Sequence, residues 1–389
     1  MDEKKLTEMF QWLHRHPELS GREYETTAYL KSRLQEYGIR LLDTGLETGL
    51  IAEIGSGEGP VIALRADMDA LPVQEKSGLP YASEVPGVMH ACGHDFHSVC
   101  MLGAAWLLKQ REAQLAGTVR IIFQPAEEIG DGSEIMVKTG LLQDVQVFYA
   151  GHTYPWYPAG VVGIHPGPAM AAADRFAVTI RGKGCHGANP EKGIDPIPAM
   201  AAVIAAYQTV VSRQISPLDS AVVSVTRAQA GNSWNVTPET AFLEGTVRTT
   251  TNAVRERIRE SLERMAGETA GAYGCEAAFE YEWGSDPVIN DEAACARAAE
   301  AAREAGLKVE VNPVSMIAED FSSYLKLAPG AMIRVGTGGG FDNHHPSFTA
   351  DPAALLPAAR FFALLAEKEL RRLKAESAGQ NGEEKTNGV

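Results

Sequence analysis

Along the first 150 residues the apolar positions keep changing period. Residues 22–37 (REYETTAYLKSRLQEY) repeat at helical spacing, whereas VIALRAD at 61–67 and TVRIIFQPA at 118–126 are apolar runs bounded by Gly and Pro, the pattern of buried strands. HSVCMLGAAWLLKQRE predicts a helix near 97–112, and VQVFYAGH at 145–152 predicts a further strand. Helix and strand in alternation predict an α/β fold with a mixed, mainly parallel sheet. The polar residues that follow these strands would then lie at their carboxyl ends, where open α/β sheets place their sites.

From about residue 175 the texture changes. RFAVTIRGKG reads as a strand, DPIPAMAAVIAAYQTVV as a helix, SAVVSVTRAQAG and TAFLEGTVRTT as strands, NAVRERIRESLERMAGETAGAY as a long helix and CEAAFEYEW as a strand. This β-α-β-β-α-β order predicts an α+β split-βαβ, ferredoxin-like module. After Pro287 come another helix (DEAACARAAEAAREAG), a strand (GAMIRVGTGG) and an amphipathic helix (PAALLPAARFFALLAEKELRRL). The expected organisation is one discontinuous domain, residues 1–174 and 289–374, interrupted by an inserted domain at 175–288. The polar segment 375–389 lacks periodicity and is expected to be a disordered tail.

Composition narrows the function. With 35 Lys+Arg against 50 Asp+Glu the formal charge is −15, which argues against a nucleic-acid partner, and no apolar run is long enough to predict a membrane span. No leader-like segment opens the chain, so a cytoplasmic location is expected. Five scattered cysteines (Cys92, Cys100, Cys185, Cys275 and Cys295) do not form a disulfide pattern, so reduced thiols are expected, one of them available as a ligand.

Histidine is scarce, 10 of 389 residues, and unevenly placed. His90-Ala91-Cys92-Gly93-His94-Asp95-Phe96-His97 precedes the first long apolar helix. Glu127-Glu128 follows one strand, His152 ends another, and His344-His345 lies near the C-terminal end. Each alone has an ordinary explanation: Cys92 as a small apolar filler, Glu127-Glu128 as a solvated turn, His152 as a hydrogen-bonded group. His14, His16, His90, His97, His165 and His345 are read as structural, with His90, His97 and His345 as partners of ligands. Together, Cys92, His94, Glu128, His152 and His344 have the ligand chemistry of Zn, Mn, Co or Ni rather than Ca or Mg. Five donors exceed one tetrahedral shell, so two ions sharing a ligand fit the count, and Glu127 is left as a base.

These motifs resemble those of the metal-dependent aminoacylase and carboxypeptidase superfamily, in the amidohydrolase branch of hippurate hydrolases, N-acetyl-diaminopimelate deacetylases and auxin-amino-acid conjugate hydrolases. The resemblance runs almost end to end, through His14-Arg15-His16-Pro17-Glu18, Ala66 to Pro72, Met89 to His97, Gln124 to Glu128, Gly184 to Ala188, Asn235 to Pro238, Glu244 to Arg248 and His344 to Phe348. It implies metal ligation by Cys92, His94, Glu128, His152 and His344, with Glu127 as general base and Asp67 and Asp69 supporting the ligands. The inserted domain would be a lid and dimerisation module. There His186 would stabilise the oxyanion, and Asn235 and Arg248 would bind substrate, Arg248 through a carboxylate. Cys185, the loop Asn189 to Lys192, and Thr153-Tyr154-Pro155-Trp156 depart from the family pattern; an aliphatic residue is common at the Thr153 position.

The expected activity is hydrolysis of an N-acyl amino acid or related amide, in a homodimer or higher homo-oligomer. The alternatives are a dipeptidase or carboxypeptidase of the same fold, a Cys92 thiol nucleophile independent of metal, and a non-catalytic metal-binding protein.

Overall fold

A computed structural model of the chain describes residues 2–386, with side chains described through residue 379. The chain divides into two compact units: Met1–Gly167, Asn290–Pro313 and Ser323–Val389 form the first, and Pro168–Ile289 with Val314–Ser322 the second.

The first unit begins with α1 (Glu3–Arg15), which the sequence reading did not anticipate. Asp2 caps it by accepting from the Lys5 N–H, and Leu6, Met9, Phe10 and Leu13 bury one face. There follow α2 (Tyr24–Glu36), β1 (Arg40–Leu42), β2 (Leu50–Gly55), β3 (Val61–Asp67), α3 (His94–Lys109), β4 (Thr118–Gln124), α4 (Gly132–Lys138), β5 (Val145–Tyr154) and β6 (Val161–Ile164). Strands β7 (Gly167–Met170) and β14 (Val288–Asn290) pair with each other where the chain leaves and re-enters this unit. The chain then forms α7 (Glu292–Glu304), β15 (Lys308–Val311), α8 (Ser322–Leu325), β16 (Gly330–Gly336) and α9 (Leu355–Thr386). The expected tail is therefore corrected as far as Thr386, where residues 375–386 continue α9; residues 387–389 lie outside the described residues.

Eight strands make one sheet in the order β1-β2-β4-β3-β5-β16-β6-β15. The central pairs β4/β3, β3/β5 and β5/β16 are parallel, while β1/β2, β2/β4 and β16/β6 are antiparallel. Helices cover the central strands, which is why β3, β4 and β16 are near-continuous apolar runs instead of alternating ones. Helix α3 starts at His94, earlier than expected, because Gly93 adopts φ 87° and turns the chain into it. It is buried along nearly its whole length against α1 and α9. Gly103 permits this approach, since a Cβ there would lie 2.8 Å from the Cβ of Ala359. Each fully buried Phe or Leu of this layer contributes roughly 1.5–3 kcal/mol, more than the unit's exposed ion pairs at about 0–1 kcal/mol each. Burial, not surface charge, fixes where α3 places its first turn.

The second unit contains β8 (Ala172–Arg181), β9 (Cys185–His186), α5 (Pro196–Gln214), β10 (Ala221–Ala230), β11 (Val236–Thr237), β12 (Thr240–Thr249), α6 (Asn252–Ala272) and β13 (Glu276–Glu282). Its four-stranded sheet, β10-β12-β8-β13, is antiparallel throughout and has ferredoxin-like order. Strand β12 alternates strictly, with Ala241, Leu243, Gly245, Val247 and Thr249 buried, so a slip of one residue would expose the whole set. The unit begins at Pro168, earlier than the predicted 175, and includes 314–322: Met170 bridges Ser315, and the Ala171 N–H donates to the Ile317 carbonyl at 3.2 Å.

Candidate metal centre

The carboxyl ends of β3, β4 and β5 converge on the first turn of α3 and on the loop after β16. Asp67 ends β3 and Asp69 follows it, Glu127 and Glu128 follow β4, His152 and Thr153 lie near the end of β5, and Asn343 and His344 come from the loop. Several sets of donor atoms lie mutually within 4.8 Å, and two of them, Cys92/His94/His152 and Cys92/Glu128/His344, share Cys92. His94, Glu127 and Glu128 form a further set. Cys92 Sγ is 3.6 Å from His152 Nε2, His344 Nε2 is 3.3 Å from Glu128 Oε2, and His94 Nε2 is 3.7 Å from Glu128 Oε1. Donors held tetrahedrally at 2.0–2.3 Å from one ion stand about 3.3–3.8 Å apart, so the spacing fits.

The protonation of each ring follows from its other nitrogen. His94 Nδ1 pairs with Asp69 Oδ1 at 3.1 Å, and His152 Nδ1 donates to the Thr153 carbonyl at 2.9 Å. Both partners favour a proton on Nδ1, which presents the Nε2 lone pair to a cation. His94 Nε2 and Glu128 Oε1 are buried atoms without a hydrogen-bond partner. Leaving two such atoms unpartnered costs free energy that cations bound in their donor sets would remove. His97 differs: its Nε2 accepts from the Thr153 N–H at 2.7 Å and its Nδ1 donates to Asp67 Oδ1 at 2.5 Å, so neither nitrogen is free for an ion. Asp67 also takes Arg65 Nη1 at 2.6 Å. Asp69 accepts from the Glu128 N–H at 3.0 Å and from Ser20 Oγ at 2.7 Å, so a single carboxylate orients both His94 and Glu128. Burial opposes the charge on Asp69, but His94 and Ser20 more than offset it and hold its carboxyl below the usual range.

Burial pushes the Cys92 thiol up to about 12, reinforced by Glu128. A buried thiol of that kind is a poor nucleophile without a cation, which argues against a covalent thiol route. Burial pulls His152 well below its ordinary value, helped by Arg334, which keeps it neutral as a ligand must be. Strain concentrates here too. Ala126 (φ 55°) and His344 (φ 68°) are the only non-glycine residues with positive φ among the described residues, and each conformation costs about 1–3 kcal/mol. Each is held by a backbone bond: the Ala126 N–H donates to Glu23 Oε1 at 2.8 Å, and the His344 N–H to the Ala91 carbonyl at 2.7 Å.

Sequence reasoning did not single out Glu23, Asn343 or the His14 network. His14 Nδ1 lies 2.6 Å from Asp95 Oδ2 and its Nε2 3.2 Å from Glu75 Oε1, all buried. Burial lowers its pKa, but Asp95 and Glu75 outweigh burial and raise it to about 9. The pairing of His14 with the residue after His94 was not visible in motif spacing, since the two are 81 positions apart.

His186, Asn235 and Arg248 belong to the second unit. The pairing of β9 with β11 sets His186 opposite Val236, and the Gly187 N–H donates to the Asn235 carbonyl at 2.8 Å, so His186 and Asn235 are neighbours. His186 is exposed, and its Nδ1 accepts from the Ala188 N–H at 3.1 Å, which leaves Nε2 as a donor. Arg248 lies on β12, donates to Thr246 Oγ1 and the Val247 carbonyl, and has no carboxylate within ion-pair distance among the described residues.

Residues 63–368 match the family described as Peptidase family M20/M25/M40. The chain is 47% identical over 372 residues to an N-acetylcysteine deacetylase of Bacillus subtilis (strain 168), covering 95% of this chain and 98% of that protein. It is 37% identical over 367 residues to thermostable carboxypeptidase 1 of Saccharolobus solfataricus, covering 92% and 93%. A crystal structure of a Bacillus subtilis dinuclear metal-binding peptidase superposes with a TM-score of 0.87 at 44% identity, covering 95% of this chain and 98% of that one.

Proposed function

The chain belongs to peptidase family M20/M25/M40, and from that membership and the geometry above we propose how it works. It is a metal-dependent amidohydrolase that cleaves N-acyl amino acids to a carboxylate and a free amine. The observation that carries the reading is the pair of donor sets sharing Cys92, with partnerless buried atoms on His94 and Glu128. Cys92, His94 and His152 would hold one divalent ion, and Cys92, Glu128 and His344 a second, of Zn, Mn, Co or Ni. Bound there, the ions supply Lewis acidity, polarising the amide carbonyl and acidifying water.

The chain's own groups do the rest. Glu127, beside Glu128 in the same cluster, takes the proton of the attacking water and returns it to the leaving nitrogen. His186 donates Nε2–H to the oxygen that becomes anionic, a role supported by the proton its Nδ1 partner leaves on Nε2. Asn235 binds substrate beside it. Arg248, with no carboxylate of its own, takes that of the amino acid. The inserted module serves as lid and dimer interface, so the active form is a homodimer or a larger homo-oligomer. Free thiols at all five cysteines suit a cytoplasmic address, and no described helix is long and apolar enough to cross a membrane.

The test is a metal-reconstituted activity screen over N-acetyl, N-benzoyl and longer N-acyl amino acids beside dipeptides. The reading expects turnover of N-acyl amino acids that chelation abolishes and added metal restores. Turnover confined to dipeptides would move the chain to the peptidase alternative that its likeness to a carboxypeptidase also allows.

A further inference from the structure

Asn343 projects from the loop that carries His344, and its amide meets the backbone and side chain of Cys92 across 251 positions of sequence. Its Nδ2 is 3.0 Å from the Cys92 carbonyl, 3.2 Å from Thr153 Oγ1 and 3.8 Å from Cys92 Sγ. A carbonyl only accepts, so the group facing it is the NH2, and the orientation of the amide is fixed. Thr153 spends its one hydroxyl proton on the same carbonyl at 2.7 Å, so towards Asn343 it accepts. One amide hydrogen is therefore committed to the Cys92 carbonyl. The other is available to the Thr153 hydroxyl and to the sulfur, both within hydrogen-bonding reach of the nitrogen.

We propose that Asn343 is a positioning residue for the Cys92 sulfur, with its side-chain N–H, steered by the Thr153 hydroxyl, donating to that sulfur in the metal-bound state. This rests on the metal reading above. A neutral thiol is a weak acceptor, whereas a metal-bound thiolate is a strong one, so the contact shortens and strengthens on loading. The donated proton withdraws electron density from the sulfur that the two donor sets share, and so sets how firmly the thiolate holds its ions and how readily it is oxidised. Thr153 is fully buried, and its methyl fills the space beside Gly93, where a Cβ would come within 2.6 Å of it. It cannot easily turn its hydroxyl away.

The experiment is absorption spectroscopy of the full-length protein loaded with Co²⁺, comparing Asn343→Ala and Thr153→Val with wild type. The thiolate-to-metal charge-transfer band reports the electron density on sulfur when variants are compared at equal metal content, fixed by elemental analysis. The expected result is a shift of that band to longer wavelength in Asn343→Ala, because a sulfur relieved of the donated proton is more electron-rich. Thr153→Val should shift it in the same sense by less, because the Cys92 carbonyl still holds the amide. A band in Asn343→Ala at the wild-type wavelength overturns the proposal, as it would reduce Asn343 to a loop anchor. Where Asn343→Ala does not fold, an unshifted band in Thr153→Val overturns it equally. Absence from the wild type of any band that Cys92→Ala removes would overturn the metal reading and this inference with it. A wild-type band that neither variant moves sinks this inference alone.

Discussion

His152 in the first unit and His186 in the second are both strand-borne histidines, and the backbone around each leaves the opposite end of the ring protonated. His152 is 6% exposed and gives its Nδ1 proton to the Thr153 carbonyl, so Nε2 offers a lone pair. His186 is exposed and accepts the Ala188 N–H on Nδ1, so Nε2 offers a proton. A metal ligand needs the first arrangement and an oxyanion donor the second. One backbone partner, a carbonyl in one case and an N–H in the other, is enough to separate the two chemistries. The supporting structure differs as well: His152 is buried on a ten-residue strand of the large sheet, while His186 is exposed on a two-residue strand pair.

The comparison breaks in order of severity. Glu127→Gln should retain its metal, measured by elemental analysis, and lose roughly 10²–10⁴-fold in kcat, the range of a removed general base. Near-normal turnover would dismiss Glu127 from that role. His186→Ala should lose about 10²–10³-fold in kcat with metal content unchanged, as for an oxyanion donor. His186→Gln, whose amide nitrogen can stand where Nε2 stood, should recover part of the loss; a drop in metal content in either variant would mean that the histidine had been given the wrong chemistry. Asp69→Asn should weaken metal binding about 10–100-fold, the usual cost of removing a ligand's outer partner, because it disturbs His94 and Glu128 together. Titration against a chelator would show it.

The smallest effect is on stability. His14 has a folded pKa of about 9 against an ordinary 6.5, so its contribution is complete below about pH 6.5 and lost as pH rises through about 9. Its partners Asp95 and Glu75 are held low despite burial, chiefly by His90 and His14 for Asp95 and by His14 for Glu75, so their share disappears on acidification instead. Counted once for the network, the alkaline loss is about 3 kcal/mol at most. Thermal unfolding of His14→Gln should therefore be flatter than wild type between pH 6.5 and 9, and an equal slope in both would remove the assignment.

Much of this was legible because the second unit's strands and helices carry clean periods. TAFLEGTVRTT alternates as β12 does, and its ends fall within a residue of the prediction. The proposed ligand set stood out because Cys, His and paired Glu are scarce and chemically specific. Helix α1 escaped prediction because its opening, MDEKK, is charged and its apolar stripe is short, although the buried Leu6, Met9, Phe10 and Leu13 repeat at helical spacing. Asn343 and Glu23 were invisible as site residues for a physical reason: Asn and Glu occur everywhere on surfaces, and their contacts are with positions 251 and 103 residues away. The tail differed because local composition does not show whether a helix already nucleated at Leu355 will stop.

If two ions are held by two donor sets meeting at Cys92, metal stoichiometry shows it most directly. Elemental analysis of reconstituted protein should give two ions per chain in the wild type, about one in His152→Ala and in His344→Ala, and fewer than one in Cys92→Ala. Two ions retained in Cys92→Ala, or full amide hydrolysis by protein stripped of metal, would contradict it.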